Sequence, residues 1–254
     1  MSSIVFSNTL RDMVDNFEQI KKHITFDDKD DFYFCQIIQR KKDGCNVPSA
    51  NNGYRTIKTY YIRSFEDFDR RVDAIKQLCE QNNARCYFNV NVRNAKEVAL
   101  VASKAYIDLV MEDRCNQGHR VYDHACGITP KKGVKRRWIV DVDTKDSTKI
   151  AVVVYSINSC RSSRPRKDQD KSHTGYDNVE FVVQTQNGVH LVTCGFDLGT
   201  FYDQLLYHND KAGNVFTDDE LKEICKVKKD NPTLMYFNPL KLQSDIENGE
   251  MYFQ

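Results

Sequence analysis

Short runs rich in aromatic and β-branched residues alternate along the chain with segments whose apolar residues recur at helical spacing. That alternation restricts the chain to layered folds in which helices cover a sheet. Phe32 to Arg40 and Tyr54 to Arg63 read as strands, joined by the polar segment from Asp43 to Gly53 as a long hairpin loop. Ser64 then caps a helix carrying Phe65, Phe68, Val72, Ile75 and Leu78 on one face and ending at Asn82-Asn83. Arg85 to Val92 is a third strand, and Asn94 caps a second helix running to about Asp113. Upstream, Leu10, Met13, Val14, Phe17, Ile20 and Ile24 follow helical spacing, with Ser7, Asn8 or Thr9 as N-cap.

The second half is richer in strands. A loop with Gly118, Gly127, Pro130 and Gly133 precedes a strand from Arg137 to Asp143, and Ile150 to Ile157 reads as another. The Cys160 to Asp177 segment is a polar loop. Val179–Gln184 and Val189–Cys194 form a hairpin about Asn187-Gly188, the dipeptide best suited to a type I′ turn. Helices over Asp197–Tyr207 and Asp218–Val227 and a short strand at Thr233–Phe237 follow. The order βαβα and then a β-rich half predicts an α+β fold with a mixed or antiparallel sheet flanked by helices. No internal repeat and no linker divides the chain, so residues 1–254 are expected to form one domain. Its α/β part spans about 1–127 and its β-rich part about 128–240.

A hydrophobic content of 40%, with 14 Phe and 13 Tyr, suits a folded chain rather than a disordered one. No apolar run approaches the roughly 20 residues of a membrane helix, and Met1-Ser-Ser-Ile-Val-Phe lacks the pattern of a signal peptide. A cytoplasmic protein without membrane contact is expected. The nine cysteines are odd in number and scattered, which suits reduced thiols better than a disulfide framework. Net charge is only +1, but residues 128–171 carry twelve Lys or Arg against five Asp. A local positive field in a near-neutral protein is what a phosphate-bearing partner requires. Charged loops alone produce the same composition.

Trp138-Ile-Val-Asp141-Val-Asp143 places two carboxylates two residues apart on a strand otherwise apolar. Alternation puts Ile139, Asp141 and Asp143 on one face, with the two acids roughly 7 Å apart at Cα. Oxygen donors so arranged suit Mg²⁺ or Mn²⁺. An isolated Asp-x-Asp is more often a strand running into solvent, with Asp143 already in a turn. In the hairpin, a two-residue Asn187-Gly188 turn would set Thr185 opposite His190, joining a hydroxyl and an imidazole able to hold phosphate oxygens. A lone His in a strand is otherwise an ordinary sheet residue.

Taken together, Trp-Ile-Val-Asp141-Val-Asp143-x-Lys145 and Thr185-x-Asn-Gly188-x-His190 resemble two motifs of the archaeo-eukaryotic primase (primase-polymerase) superfamily, phage and mobile-element type. The likeness covers about residues 85–240. It implies a modified RNA-recognition-like core preceded by an α/β unit, and a metal-dependent primase or polymerase acting with nucleoside triphosphates on single-stranded or primed nucleic acid. By that resemblance Asp141 and Asp143 hold Mg²⁺ or Mn²⁺, and His190, helped by Thr185 and Gly188, holds the triphosphate. The setting implied is the cytoplasm of a bacterial or phage-infected cell, alongside other replication proteins. The family's third motif is a later acid, for which Asp230 is the first candidate and Asp197 the second; either is also explained as a turn residue or a helix cap. The alternatives are a catalytically inactive nucleotide- or nucleic-acid-binding protein of the same fold, and a metal-dependent nuclease.

Lys131, Lys132, Lys135, Arg136 and Arg137, with Arg161, Arg164 and Arg166, are the expected nucleic-acid contacts. Arg85, Tyr87, Asn89, Asn91 and Arg93 share one strand face, which reads either as a template-binding surface or as the solvent side of a sheet. Lys58, Tyr60 and Arg63 allow the same two readings. Cys115, His119, His124 and Cys126 put four soft ligands within twelve residues, but not in the paired Cys-x2–4-Cys spacing usual for zinc. No glycine-rich phosphate loop and no Gly-x-Ser-x-Gly elbow is present.

Overall fold

The computed structural model describes residues 13–45, 47, 53–162, 177–224 and 226–239. Its strands are β1 (Val14–Asp15), β2 (Asp31–Arg40), β3 (Tyr54–Ile62), β4 (Arg85–Asn89), β5 (Arg93–Asn94), β6 (Trp138–Val142), β7 (Val179–Gln184), β8 (Val189–Thr193) and β9 (Pro232–Phe237). Its helices are α1 (Phe17–Lys21), α2 (Phe65–Gln81), α3 (Ala95–Met111), α4 (Val121–Ile128), α5 (Ser147–Ser159), α6 (Leu198–Lys211) and α7 (Asp218–Ile224). Every strand pairing is antiparallel. One sheet has the order β1-β9-β4-β2-β3, with β5 on β2; the other has the order β6-β8-β7. Among the described residues no helix is long and apolar enough to cross a membrane.

Alternation along the strands builds the layers. On β2, Tyr33, Cys35 and Ile37 face one way and join Cys86 and Phe88 of β4 and Phe68 and Ile75 of α2. Ile139, Phe181, Val183 and Val192 enter that same core from one face of the smaller sheet. Phe32 and Phe34 face the other way, onto Val98 of α3 and Ala125 of α4. The second face of the smaller sheet supplies Val140, Val142, Val189 and Leu191 to a core shared with α5, α6 and α7. The two sheets are stitched by the buried Asn16, whose amide nitrogen donates to Gln184 O and Leu234 O at 2.9 Å each. That cross-link fixes the end of β7, and so the β7–β8 hairpin, beside β9.

Several expectations change. Residues 150–157 are helical, not a strand. Asp146 caps the helix by accepting from the backbone N–H groups of Thr148 and Lys149, and Ile150, Val153 and Ile157 then fall on one buried face. Burial at helical spacing overrides the β preference of a Val-rich run. The segment at 115–128 is not a loop either: a 3₁₀ turn at Cys115–Arg120 leads into α4. The N-terminal helix is only Phe17–Lys21, because Val14 and Asp15 pair with β9 instead. Leu10, Ser7, Asn8 and Thr9 lie outside the described residues, as does most of the Asp43–Gly53 loop. In the hairpin, Gln184 pairs with Val189 and Val183 with His190, and Thr185 N–H donates to Gly188 O at 2.9 Å. The turn is therefore centred on Gln186-Asn187, none of residues 186–188 has positive φ, and Val183 rather than Thr185 opposes His190.

Candidate functional site

Asp141 on β6 stands directly opposite His190 on β8, so both side chains leave the same face of the smaller sheet. His190 Nε2 lies 3.4 Å from Asp141 Oδ1. Its Nδ1 lies 2.8 Å from Thr233 Oγ1 on β9. With Nε2 turned to the carboxylate, the Thr233 hydroxyl fixes the ring from behind, as an orienting partner does for a functional imidazole. The second oxygen of Asp141, Oδ2, is 3.3 Å from Lys228 Nζ. Hydrogen bonding to His190 is the larger cause, and the Lys228 charge the lesser, of a carboxyl held below the ordinary range; partial burial opposes both.

Asp143 lies just past the end of β6. Thr144 N–H donates to Val142 O at 2.8 Å, a three-residue turn with Asp143 at its centre. Gly188 packs against this turn: a Cβ there would overlap the Val142 carbonyl oxygen and sit 2.5 Å from Thr144 N. The hairpin tip and the acidic turn are thereby held in contact. Asp141 and Asp143 line one cleft of about 530 Å³, walled opposite by Thr217, Glu220 and Glu223, with Lys226 and Lys228 beside them.

Neither candidate third acid reaches this cleft. Asp230 pairs with Arg93 at 3.1 Å and accepts from Asn91 Nδ2 at 2.9 Å. Asp197 caps α6 by accepting from Gly199 N–H at 2.9 Å. Among the described residues no group of three His, Cys, Asp or Glu side chains could hold a metal ion. The carboxylates of Asp141 and Asp143 would suit a hard divalent ion that keeps water and phosphate ligands, as Mg²⁺ and Mn²⁺ do, and not an all-protein cage.

The expected nucleic-acid contacts divide sharply. Arg93 is 0% exposed, and its guanidinium is spent on Cys126 O, Asn91 O and Asp230. Arg85 is buried too, paired with Asp43 at 2.5 Å and donating to Gln186 at 2.6 Å. Both therefore serve the fold, and they stand on separate strands, β4 and β5, because the single strand expected from Arg85 to Val92 ends at Asn89. Lys131 is clamped on the buried Asp31 at 2.7 Å, and Arg137 on Glu180 at 2.7 Å. Lys132, Lys135, Arg136 and Arg161 are exposed, while Arg164 and Arg166 lie outside the described residues. Lys58 lies over the Tyr60 ring, as Arg71 does.

Among the described side chains, Cys115, His124 and Cys126 do not form a metal-holding group. Cys126 is buried among Phe32, Phe34 and Val98, and burial pushes its thiol up to about 12, which disfavours the thiolate that zinc needs. Cys115 is exposed on the 3₁₀ turn and His124 is exposed on α4. The His119 side chain lies outside those described.

Lys228 and Thr233 are the site residues that sequence reasoning missed. Lys228 sits in Lys226-Val-Lys-Lys-Asp230, a run that reads as ordinary surface charge. Thr233 carries no signal beyond its place in the last strand. Comparison of the chain with protein-family models, curated proteins and solved structures finds no match.

Proposed function

We propose that this protein is a metal-dependent nucleotidyltransferase of the primase-polymerase type, taking a nucleoside triphosphate beside single-stranded or primed nucleic acid. The observation that supports this is the direct cross-strand pairing of His190 with Asp141, which lines a cleft together with Asp143. Asp141 and Asp143 would hold Mg²⁺ or Mn²⁺, which supplies charge neutralisation for the phosphates when bound. His190 is held at Nδ1 by Thr233 with Nε2 3.4 Å from Asp141 Oδ1, and would donate from Nε2 to a phosphate oxygen bound beside Asp141. The exposed Lys132, Arg136 and Arg161 would give a strand backbone places to pair.

A second reading is a nucleotide-binding protein that performs no transfer. It is favoured by the engagement of Asp230 with Arg93, which leaves Asp141 and Asp143 without the third acid that the resemblance implies. Incubation with single-stranded DNA, labelled nucleotides and Mn²⁺, together with a direct triphosphate-binding measurement, separates the two. The transferase extends or initiates a strand, and Asp141→Ala and Asp143→Ala each lose that activity by at least about a hundred-fold while keeping the wild-type circular dichroism. Binding without incorporation selects the second reading. Full activity in both variants removes the site assignment.

A further inference from the structure

One edge of β6 is occupied by β8; the other is taken by the chain around Lys228. Ile139 N–H donates to Lys228 O and Lys228 N–H to Ile139 O, both at 2.9 Å. The residue that this bridge brings to Asp141 is a lysine. Its ammonium stands 3.3 Å from Asp141 Oδ2 while His190 stands 3.4 Å from Oδ1. Both oxygens of Asp141 therefore face nitrogen.

Three lysines line the cleft, and two of them go elsewhere. Lys222 pairs with Asp219 and Lys226 with Glu223, each three residues away along the chain. Lys228 reaches across 87 residues of sequence to Asp141. Its placement is enforced on both sides. The paired backbone bonds fix its Cα, and two residues later Asp230 is anchored by the fully buried Arg93 and by Asn91.

We propose that the Lys228 ammonium is a resident cation of this site, occupying one position of a metal on Asp141, so that a divalent ion must displace it to bind. The inference rests on the metal-dependent reading above. An ammonium and a divalent ion cannot share one carboxylate oxygen without strong like-charge repulsion, so metal binding and the Lys228–Asp141 contact exclude each other. Once displaced, the same ammonium has three donors free for a phosphate oxygen, as lysine binds phosphate elsewhere. Phosphate would thus favour the exchange by taking up the displaced ammonium.

The test uses the full chain and Mn²⁺ alone, with free Mn²⁺ followed by electron paramagnetic resonance. Lys228→Met removes the ammonium and leaves the backbone pairing with Ile139; the side chain is 44% exposed, so folding is not at stake. Lys228→Gln repeats the measurement with a polar replacement. Both should bind Mn²⁺ at least about ten-fold more tightly than wild type, and adding Asp141→Asn to either should abolish the gain. Wild-type binding that neither replacement tightens overturns the inference and leaves the metal-dependent reading standing. Absence of Mn²⁺ binding at millimolar concentration in the wild type and in both variants overturns the two together.

Discussion

Gly188 is required by crowding and not by its backbone angles. Its φ is not positive, yet a Cβ would overlap the Val142 carbonyl oxygen and approach Thr144 N and the Asp143 Cα. The obstructing atoms are backbone, which cannot rotate away. Gly188→Ala should therefore cost about 1–3 kcal/mol, the usual range for overpacking, seen as a lower urea midpoint. An unchanged midpoint would mean that the hairpin tip is not pressed against the acidic turn. The residue is visible in the sequence, but for the wrong reason. Asn187-Gly188 suggests a type I′ turn, whereas the glycine is demanded by a strand 46 residues upstream, which local turn chemistry does not report. The place of Asp141 on its strand face was legible because alternation is a local rule, whereas the hairpin register sets Val183 and not Thr185 opposite His190. Lys228 and Thr233 were not legible, since each reaches the site through a tertiary approach that no periodicity encodes.

Among the elements, α7 shows how a short helix is held as a wall of the cleft. Thr217 and Glu220 form a reciprocal cap: Thr217 N–H donates to Glu220 Oε2 at 2.8 Å, and Glu220 N–H donates to Thr217 Oγ1 at 3.4 Å. Glu220 also takes Lys149 of α5 at 2.8 Å, tying two helices together. The Lys149 contact first, then the Thr217 N–H, hold its carboxyl down at about 2 against an ordinary 4.5. A folded-state value below the unfolded one adds stability that is complete above 4.5 and is lost as pH falls toward 2. Glu220→Ala should cost about 1 kcal/mol at neutral pH, as loss of a cap does, with little added by an ion pair whose acid is half exposed. Thermal melts of wild type and variant should converge between pH 4.5 and pH 2; a gap that persists at pH 2 would show that the carboxylate charge contributes nothing. The helix α5 was hidden in the sequence by its Val and Ile content. What makes it helical is the Asp146 cap and the packing of Ile150, Val153 and Ile157, and residue preference carries neither.

Across the whole molecule, β9 is the piece that joins the early and late parts of the chain. It inserts between β1 and β4, carries Thr233 to His190, and is preceded by Asp230, which bonds the buried Arg93. Asp230 holds φ of 118°, a conformation L residues rarely adopt, so its partners and not its own preference keep it there. Layering and strand order of this kind follow from burial on two faces of a sheet and are foreshadowed by the apolar pattern. The pairing of Arg93 with an acid 137 residues later is not; in isolation Arg93 looks like a surface cation and Asp230 like a metal ligand. The two roles predict different outcomes for the same substitution. Asp230→Ala leaves a guanidinium in the core with fewer acceptors, and removing one partner of a buried pair costs about 3–5 kcal/mol. Asp230→Asn retains an acceptor for Arg93 Nη2 and a residue type tolerant of positive φ, so it should lose clearly less. Equilibrium unfolding in urea measures both. A metal-binding acid would behave the other way round: both replacements would spare stability, and either would abolish metal-dependent transfer.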